Sequence, residues 1–70
     1  MTAERLINTM KLHRVEMGLT QAQLAERTGV TRKTINSVEN GVFTPSTILA
    51  LKVARVLQTP VDVLFSLSDQ

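Results

Sequence analysis

The sequence has no cysteine, and it has one histidine, His13, and six acidic residues among 70 positions. Disulfide bridges and thiolate metal sites are therefore excluded, and the scattered acids do not form the donor set of a structural zinc site. A chain this short lies near the lower limit at which one hydrophobic core suffices without cross-links. We therefore expect closely packed helices, with further burial between two copies of the chain.

Aromatic residues are also scarce, with two phenylalanines, no tryptophan and no tyrosine. This composition is poor for a β-sandwich and for the aromatic platforms that stack on single-stranded nucleic acid. No run approaches the roughly 18 consecutive apolar residues of a membrane span, and no basic-then-apolar leader is present. We therefore expect a cytoplasmic protein that binds no membrane.

Catalytic motifs are missing as well. The sequence shows no Ser, His and Asp arrangement, no carboxylate pair and no glycine-rich phosphate loop, so we expect no enzymatic activity, no cofactor and no metal. His13 allows two interpretations, a pH-sensitive switch or a core-edge residue whose ring nitrogen is hydrogen-bonded locally. We favour the second, because no potential ligand partner is spaced around it.

Basic residues are concentrated in one part of the chain, although the net charge is only +2. Between Lys11 and Lys33 there are five basic residues and two acids. The basic ones are Lys11, Arg14, Arg27, Arg32 and Lys33. Such a local excess of positive charge is what attraction to phosphate groups requires.

The same part of the chain contains the start and stop signals of a short helix. Thr20 and Gln23 have the spacing of a capping box, which satisfies the first unpaired N–H groups of a helix. Leu19 and Leu24 flank this box as a hydrophobic staple. Gly29 can adopt the left-handed conformation that ends a helix.

A second helix follows at once. Thr31 is its N-cap, Val30 and Ile35 repeat the staple, and Gly41 closes it. Two short helices joined by a tight glycine-containing turn form a helix-turn-helix, whose second helix can enter the major groove of DNA. The helical period turns four residues inward, Leu24, Ala25, Ile35 and Val38. It turns six outward, Gln21, Arg32, Lys33, Asn36, Ser37 and Asn40.

The flanking segments indicate three more helices. The spacing of Leu6, Met10, His13 and Met17 predicts a first helix over Ala3–Met17, with Thr2 as N-cap and Gly18 at its end. Pro45 separates the third helix from a fourth, which is capped by Thr44 or Ser46 and runs to about Leu57. Thr59, Pro60 and Asp62 predict the N-cap, N1 and N3 positions of a short fifth helix. Residues Leu67 to Gln70 either form a short extended segment or fray.

These residues resemble a known family. The run LTQAQLAERTGVTRKTINSVENGVFTPS, followed by ALKVARVLQTPVDVLF, is similar to the phage repressor and Cro type of helix-turn-helix domain, also called the XRE family. The likeness extends from about Met10 to Phe65. It implies an all-α, lambda-repressor-like bundle of five helices, with residues 1–70 forming a single DNA-binding domain. The motif would lie at residues 20–41 and the recognition helix at about 31–40.

The resemblance also implies roles for individual residues. The residues expected to contact bases are Arg32, Lys33, Asn36 and Ser37. Those expected to contact phosphates are Thr20, Gln21, Thr31, Thr34 and Asn40. Arg14 and Glu39 match a pair that forms an internal ion pair in several family members, whereas His13 stands where the family pattern usually has Leu or Ile.

The fourth and fifth helices carry more apolar residues than one core face needs. We expect part of this surface to be a two-fold dimer contact, formed by Leu51, Val61, Leu64 and Leu67. The expected function is that of a homodimeric transcriptional regulator, a repressor that binds a near-palindromic site on double-stranded DNA. The alternative is an antitoxin or another protein-interaction module for which DNA binding is secondary.

Overall fold

The computed structural model describes residues 5–68 and has five helices between two short strands. In chain order the elements are β1 (Arg5–Asn8), α1 (Met10–Glu16), α2 (Gln21–Thr28), α3 (Arg32–Glu39), α4 (Thr47–Leu57), α5 (Val61–Leu64) and β2 (Phe65–Ser68). β1 and β2 pair antiparallel, with Leu6 opposite Leu67. The predicted bundle of five helices is confirmed, and the all-α prediction is mostly right: the one addition among the described residues is the small two-stranded sheet.

The predicted first helix over Ala3–Met17 is too long. Its first described residues form β1 instead, and the helix begins at Met10, with Thr9 as N-cap. Thr9 N donates to Leu64 O at 2.8 Å, and β1 pairs with β2, so distant contacts outweigh the local helical spacing. The predicted cap Thr2 lies outside the described residues.

A hydroxyl group caps the start of α4 but not the start of α5. Ser46 caps α4, because its Oγ accepts from Leu49 N at 3.1 Å. The predicted cap of the fifth helix, Thr59, is wrong: its hydroxyl donates backwards to Leu57 O at 3.0 Å, and Pro60 is the N-cap. Beyond α5 the chain is extended in β2, which includes Leu67 and Ser68; residues 69 and 70 lie outside the described part.

A single cluster of ten buried apolar residues forms the core. Its members are Met10, Leu19, Leu24, Ala25, Ile35, Val38, Leu49, Val53, Leu57 and Leu64. The four predicted inward positions of α2 and α3 are all among them. Leu64 is 0% exposed, so its assignment to a dimer contact is wrong: it is the side chain with which the one-turn α5 fills the core.

Candidate nucleic-acid interface

The turn between α2 and α3 is held by caps at both helix starts. Thr20 Oγ1 accepts from Gln23 N at 3.0 Å, and Gln23 Oε1 accepts from Thr20 N at 2.8 Å, so the predicted capping box is formed. Gly29 ends α2 in the left-handed conformation, with φ of 76°. Thr31 then starts α3, its hydroxyl accepting from Thr34 N at 3.1 Å. Gly29 and Thr31 thus bound the turn between α2 and α3.

α3 has one buried face and one solvent face. Ile35 and Val38 lie in the core, whereas Arg32, Lys33 and Asn36 are exposed. Ser37 is half-buried, at the edge between the two faces. The four residues expected to contact bases therefore lie on the outward side and edge of one helix.

The side chains expected to contact phosphates surround this face. Thr20, Thr31 and Asn40 are exposed, and Gln21 and Thr34 are half-buried. The hydroxyls of Thr31 and Thr34 also lie 3.0 Å apart and hydrogen-bond to each other. Each of these threonines therefore already has a partner within the protein.

An ion pair connects α1 to α3 behind this surface. Arg14 Nε donates to Glu39 Oε2 at 2.7 Å, and Nη2 donates to Oε1 at 3.2 Å. The third guanidinium nitrogen, Nη1, donates to Leu19 O at 2.7 Å. The Glu39 side chain is 1% exposed and that of Arg14 is 10% exposed, so this bidentate pair is shielded from water.

A chain of amide side chains continues from the ion pair to the surface. Gln21 Nε2 donates to Glu39 Oε1 at 3.1 Å, and Asn36 Nδ2 lies 3.5 Å from Gln21 Oε1. Asn40 Nδ2 donates to Asn36 Oδ1 at 3.1 Å. Sequence reasoning missed the two contacts of Gln21, because they depend on how α2 crosses α3.

The basic side chains at the start of α3 keep their charge uncompensated. Across residues 5–68, Arg14 and Glu39 form the sole ion pair, so neither Arg32 nor Lys33 is neutralised by a carboxylate. α3 also has no acidic residue in its first turn. The solvent face of α3 is therefore positively charged, which suits a polyanionic ligand.

Two apolar residues beside α3 were also missed by sequence reasoning. Val42 is 81% exposed and Phe43 is 49% exposed in the loop that follows the helix. Together with Lys33, Thr34 and Ser37 they line a shallow pocket, which we call the α3–loop pocket. In the sequence, this surface is indicated only by two consecutive apolar residues after Gly41, in a loop where polar residues are usual.

A second surface is lined by a different set of residues. An apolar groove is lined by Leu6, Thr44, Pro45, Thr47, Ala50, Leu51, Val61 and Phe65. Two of the predicted dimer residues, Leu51 and Val61, line it and are 52% and 36% exposed. Leu67, which is 61% exposed, is the cross-strand neighbour of Leu6.

The remaining candidates give no further site. His13 is half-buried, and its Nδ1 lies 2.9 Å from Thr9 O and 3.1 Å from Thr9 Oγ1, in the local arrangement that we favoured. Within the described chain, the His, Asp and Glu side chains form no cluster that could hold a metal ion. None of the helices at residues 5–68 has the length and apolar character needed to cross a membrane.

Comparison with known proteins gives relatives of one kind. A Methanothermobacter thermautotrophicus protein, an uncharacterised HTH-type transcriptional regulator, is 60% identical over 45 residues, which span 64% of this chain and 65% of that relative. The uncharacterised HTH-type transcriptional regulator YgzD of Bacillus subtilis is 35% identical over 63 residues, covering 90% of this chain and 96% of YgzD.

A solved structure has the same fold. It is the crystal structure of a candidate DNA-binding protein from Bacteroides fragilis, with a TM-score of 0.80 and 28% sequence identity. The match covers 87% of this chain and 98% of that one. Residues 10–64, which include all five helices, match the helix-turn-helix family model. The chain therefore belongs to the XRE-type helix-turn-helix family, whose relatives are named as HTH-type transcriptional regulators.

Proposed function

We propose that this protein is a sequence-specific regulator of transcription that binds double-stranded DNA as a homodimer. The observation that carries the proposal is the solvent face of α3, where Arg32, Lys33 and Asn36 are exposed and the positive charge has no carboxylate partner among the described residues. A helix is narrow enough to enter the major groove, which is about 12 Å wide. The names of the relatives support the same reading.

Phosphate contacts set the position of the protein on the duplex. We call the outward side of α3 with Arg32, Lys33, Asn36 and Ser37 the reading face. The residues that would contact phosphates are Thr20, Gln21, Thr31, Thr34 and Asn40, and the N-terminus of α2 adds N–H groups at Gln21. Because Gln21 Nε2 is held by buried Glu39, its side chain is oriented before DNA arrives. Less conformational entropy is then lost on binding.

Base contacts come from the first two turns of α3. Arg32 and Lys33 present long donors that reach guanine O6 and N7, and Asn36 has the donor and acceptor that pair with adenine. Asn36 Oδ1 already accepts from Asn40 Nδ2, which leaves its second lone pair and an Nδ2–H for a base. Ser37, half-buried at the helix edge, is short enough to contact a base directly or through water.

Two copies read the operator together. We place the dimer contact at Leu51, Val61 and Leu67, extended by Leu6 on the neighbouring strand. Large exposed apolar surfaces are uncommon on monomers, and a two-fold contact would cover the same groove on both copies. The two recognition helices would then lie about 34 Å apart, so the operator is near-palindromic. Repression by occlusion of a promoter is the simplest consequence.

Selection of duplexes from a random pool tests the proposal. We expect recovery of a near-palindromic site, bound with an affinity that falls steeply with salt, by a log–log slope of about −0.9 for each phosphate neutralised. Recovery of no duplex, together with a stable complex between the groove and another protein, would contradict it. That outcome would favour the antitoxin or protein-interaction alternative, in which Leu51 and Leu67 contact a different chain.

A further inference from the structure

The α3–loop pocket joins the reading face of α3 to the loop that follows it. Lys33 and Ser37, one helical turn apart, form one wall, and Val42 and Phe43 form the other. Two of the proposed base-contacting residues therefore line the pocket. A ligand group that enters the pocket between Lys33 and Ser37 would therefore also contact the apolar loop.

Backbone hydrogen bonds hold this loop against the helix. Val42 N and Phe43 N both donate to Ser37 O, at 2.9 and 3.1 Å. Gly41, in the left-handed conformation at φ of 75°, donates its N–H to Val38 O at 3.0 Å and turns the chain back. The apolar wall is thus fixed relative to Ser37. Val42 is nevertheless 81% exposed. It therefore gains little of the free energy that burial of an apolar side chain provides, unless a ligand covers it.

The positive charge around the pocket favours a negatively charged ligand. Lys33 lies in the wall and Arg32 lies beside it, and neither has an ion-pair partner within residues 5–68. A polyanion with a local apolar group fits this combination better than an apolar protein surface does. In the major groove that apolar group is the C5-methyl of a pyrimidine, carried by thymine and equally by 5-methylcytosine.

We propose that the α3–loop pocket receives a pyrimidine C5-methyl group, and that Val42 determines specificity through contact with it. The inference rests on the proposed function, because it takes α3 to lie in the major groove. Lys33 would bind the neighbouring base or phosphate while the methyl group contacts Val42 and Phe43. Recognition by the loop then adds to recognition by the helix.

The test removes the methyl group from the DNA. Each thymine of the selected operator is replaced singly by deoxyuridine, which keeps all hydrogen-bonding groups. We expect one position in each half-site at which affinity falls about fourfold, the effect of one buried methyl group. If cytosine occupies that position, 5-methylation should instead raise affinity by a similar factor. The two arms distinguish the two sources of the methyl group.

Protein variants connect this effect to the pocket. Val42→Ala should weaken binding to the methylated site and should distinguish it from the unmethylated one less well than the wild type does, because only the Phe43 contact remains. Val42 is so exposed that folding should be unaffected, whereas Phe43→Ala needs a parallel melting curve because Phe43 is half covered. Leu12→Ala, at a residue 57% exposed on α1, is the control and should retain full sensitivity to the methyl group.

Two results would overturn the inference while leaving the proposed function intact. One is sequence-selective, salt-dependent binding that is indifferent to the C5 substituent of every pyrimidine. The other is a Val42→Ala variant that distinguishes methylated from unmethylated sites as well as the wild type does. Absence of any sequence-selective duplex binding would instead overturn the proposed function, and this inference with it.

Discussion

At the residue scale, the buried pair of Arg14 and Glu39 does more to fix geometry than to stabilise the fold. Burying two charges costs solvation energy that offsets much of their attraction. Glu39 also accepts from Gln21, so one carboxylate links α1, α2 and α3. The geometry of the solvent face of α3 therefore depends on a carboxylate that is buried behind it.

Glu39→Ala should lower the free energy of unfolding by about 3–5 kcal/mol, because it leaves the Arg14 guanidinium buried without a counter-charge. Adding Arg14→Met removes that charge, so the double variant should melt at a higher temperature than Glu39→Ala alone. Thermal unfolding followed by circular dichroism measures both. Equal or reversed melting temperatures would contradict this account. Glu26→Ala, at an exposed position of α2, is the control, with an expected change under about 0.5 kcal/mol.

Arg32 is the residue whose loss should change sequence preference most directly. Arg32→Ala should weaken operator binding by about 1–3 kcal/mol and relax the preference at one base pair, if the guanidinium contacts guanine. If the guanidinium contacts only a phosphate, its loss should weaken binding to all sequences equally and lower the magnitude of the salt slope by about 0.9. Binding titrations on the operator and on single-base variants distinguish the two. Arg55→Ala, at an exposed position of α4, is the matched control and should leave both properties unchanged.

At the element scale, the bounds of α2 and α3 were predictable, whereas the strands and the starts of α1 and α5 were not. Capping residues act within one or two turns, so Thr20, Gln23 and Gly29 revealed the bounds of α2 directly. β1 has only four residues, and its pairing partner lies at the other end of the described chain. Leu6 happened to continue the helical spacing of α1, so no local signal distinguished strand from helix.

The candidate site shows the same division. The outward positions of α3 followed from the helical period, because one face had to enter the core. The bonds of Gln21 to Glu39 and of Asn36 to Gln21 depend on the crossing of two helices, which no local pattern encodes. Thr59 illustrates a further difficulty. Its hydroxyl could accept from an N–H at the start of α5 or donate to a carbonyl at the end of α4, and it donates to Leu57 O.

The end of α4 also contains a strained residue. Gln58 has φ of 52°, and it is the one non-glycine residue with positive φ among those described. Gly29 occupies the equivalent left-handed position after α2 without a Cβ clash. Gln58→Gly should therefore raise the free energy of unfolding by about 0.5–1 kcal/mol, since relief of the roughly 1–2 kcal/mol clash exceeds the added chain entropy.

Chemical denaturation measures this gain. Gln58→Ala is the control: it removes the side chain but keeps the Cβ, so it should give no comparable stabilisation. A Gln58→Ala variant as stable as Gln58→Gly would show that the side chain, rather than the backbone conformation, limits stability. DNA affinity should be the same in all three proteins, because Gln58 lies outside the proposed reading face.

At the scale of the whole molecule, the solvent face of α3 and the apolar groove are formed by different residues. α3 carries the first, while α4, α5 and the sheet carry the second. The core joins them, since each helix contributes at least one buried apolar residue. In the proposed dimer, each copy would therefore use different residues for DNA and for its partner copy.

Leu51→Glu should separate the proposed dimer, because it places a charge in the groove between the two copies. In sedimentation at micromolar concentration we expect the wild type at about twice the chain mass of 7.7 kDa, and the variant at 7.7 kDa. The variant should also lose most of its affinity for a site with two half-sites. Ile48→Glu, at a residue 68% exposed on α4 and outside the groove, should remain dimeric. A wild type that sediments only at 7.7 kDa would contradict the dimer.

The pairing of β1 with β2 also sets an order of events during folding. The contacts of α2 with α3 join neighbours in the chain, whereas the sheet joins the two ends of the described chain and closes the longest loop. Long loops close late, because their closure costs entropy before any contact offsets it. Leu6 lines the apolar groove and belongs to β1, so the groove is complete only after β1 has paired with β2. On this order, a newly made chain would form α3 before it completes the groove at which we propose that two copies meet.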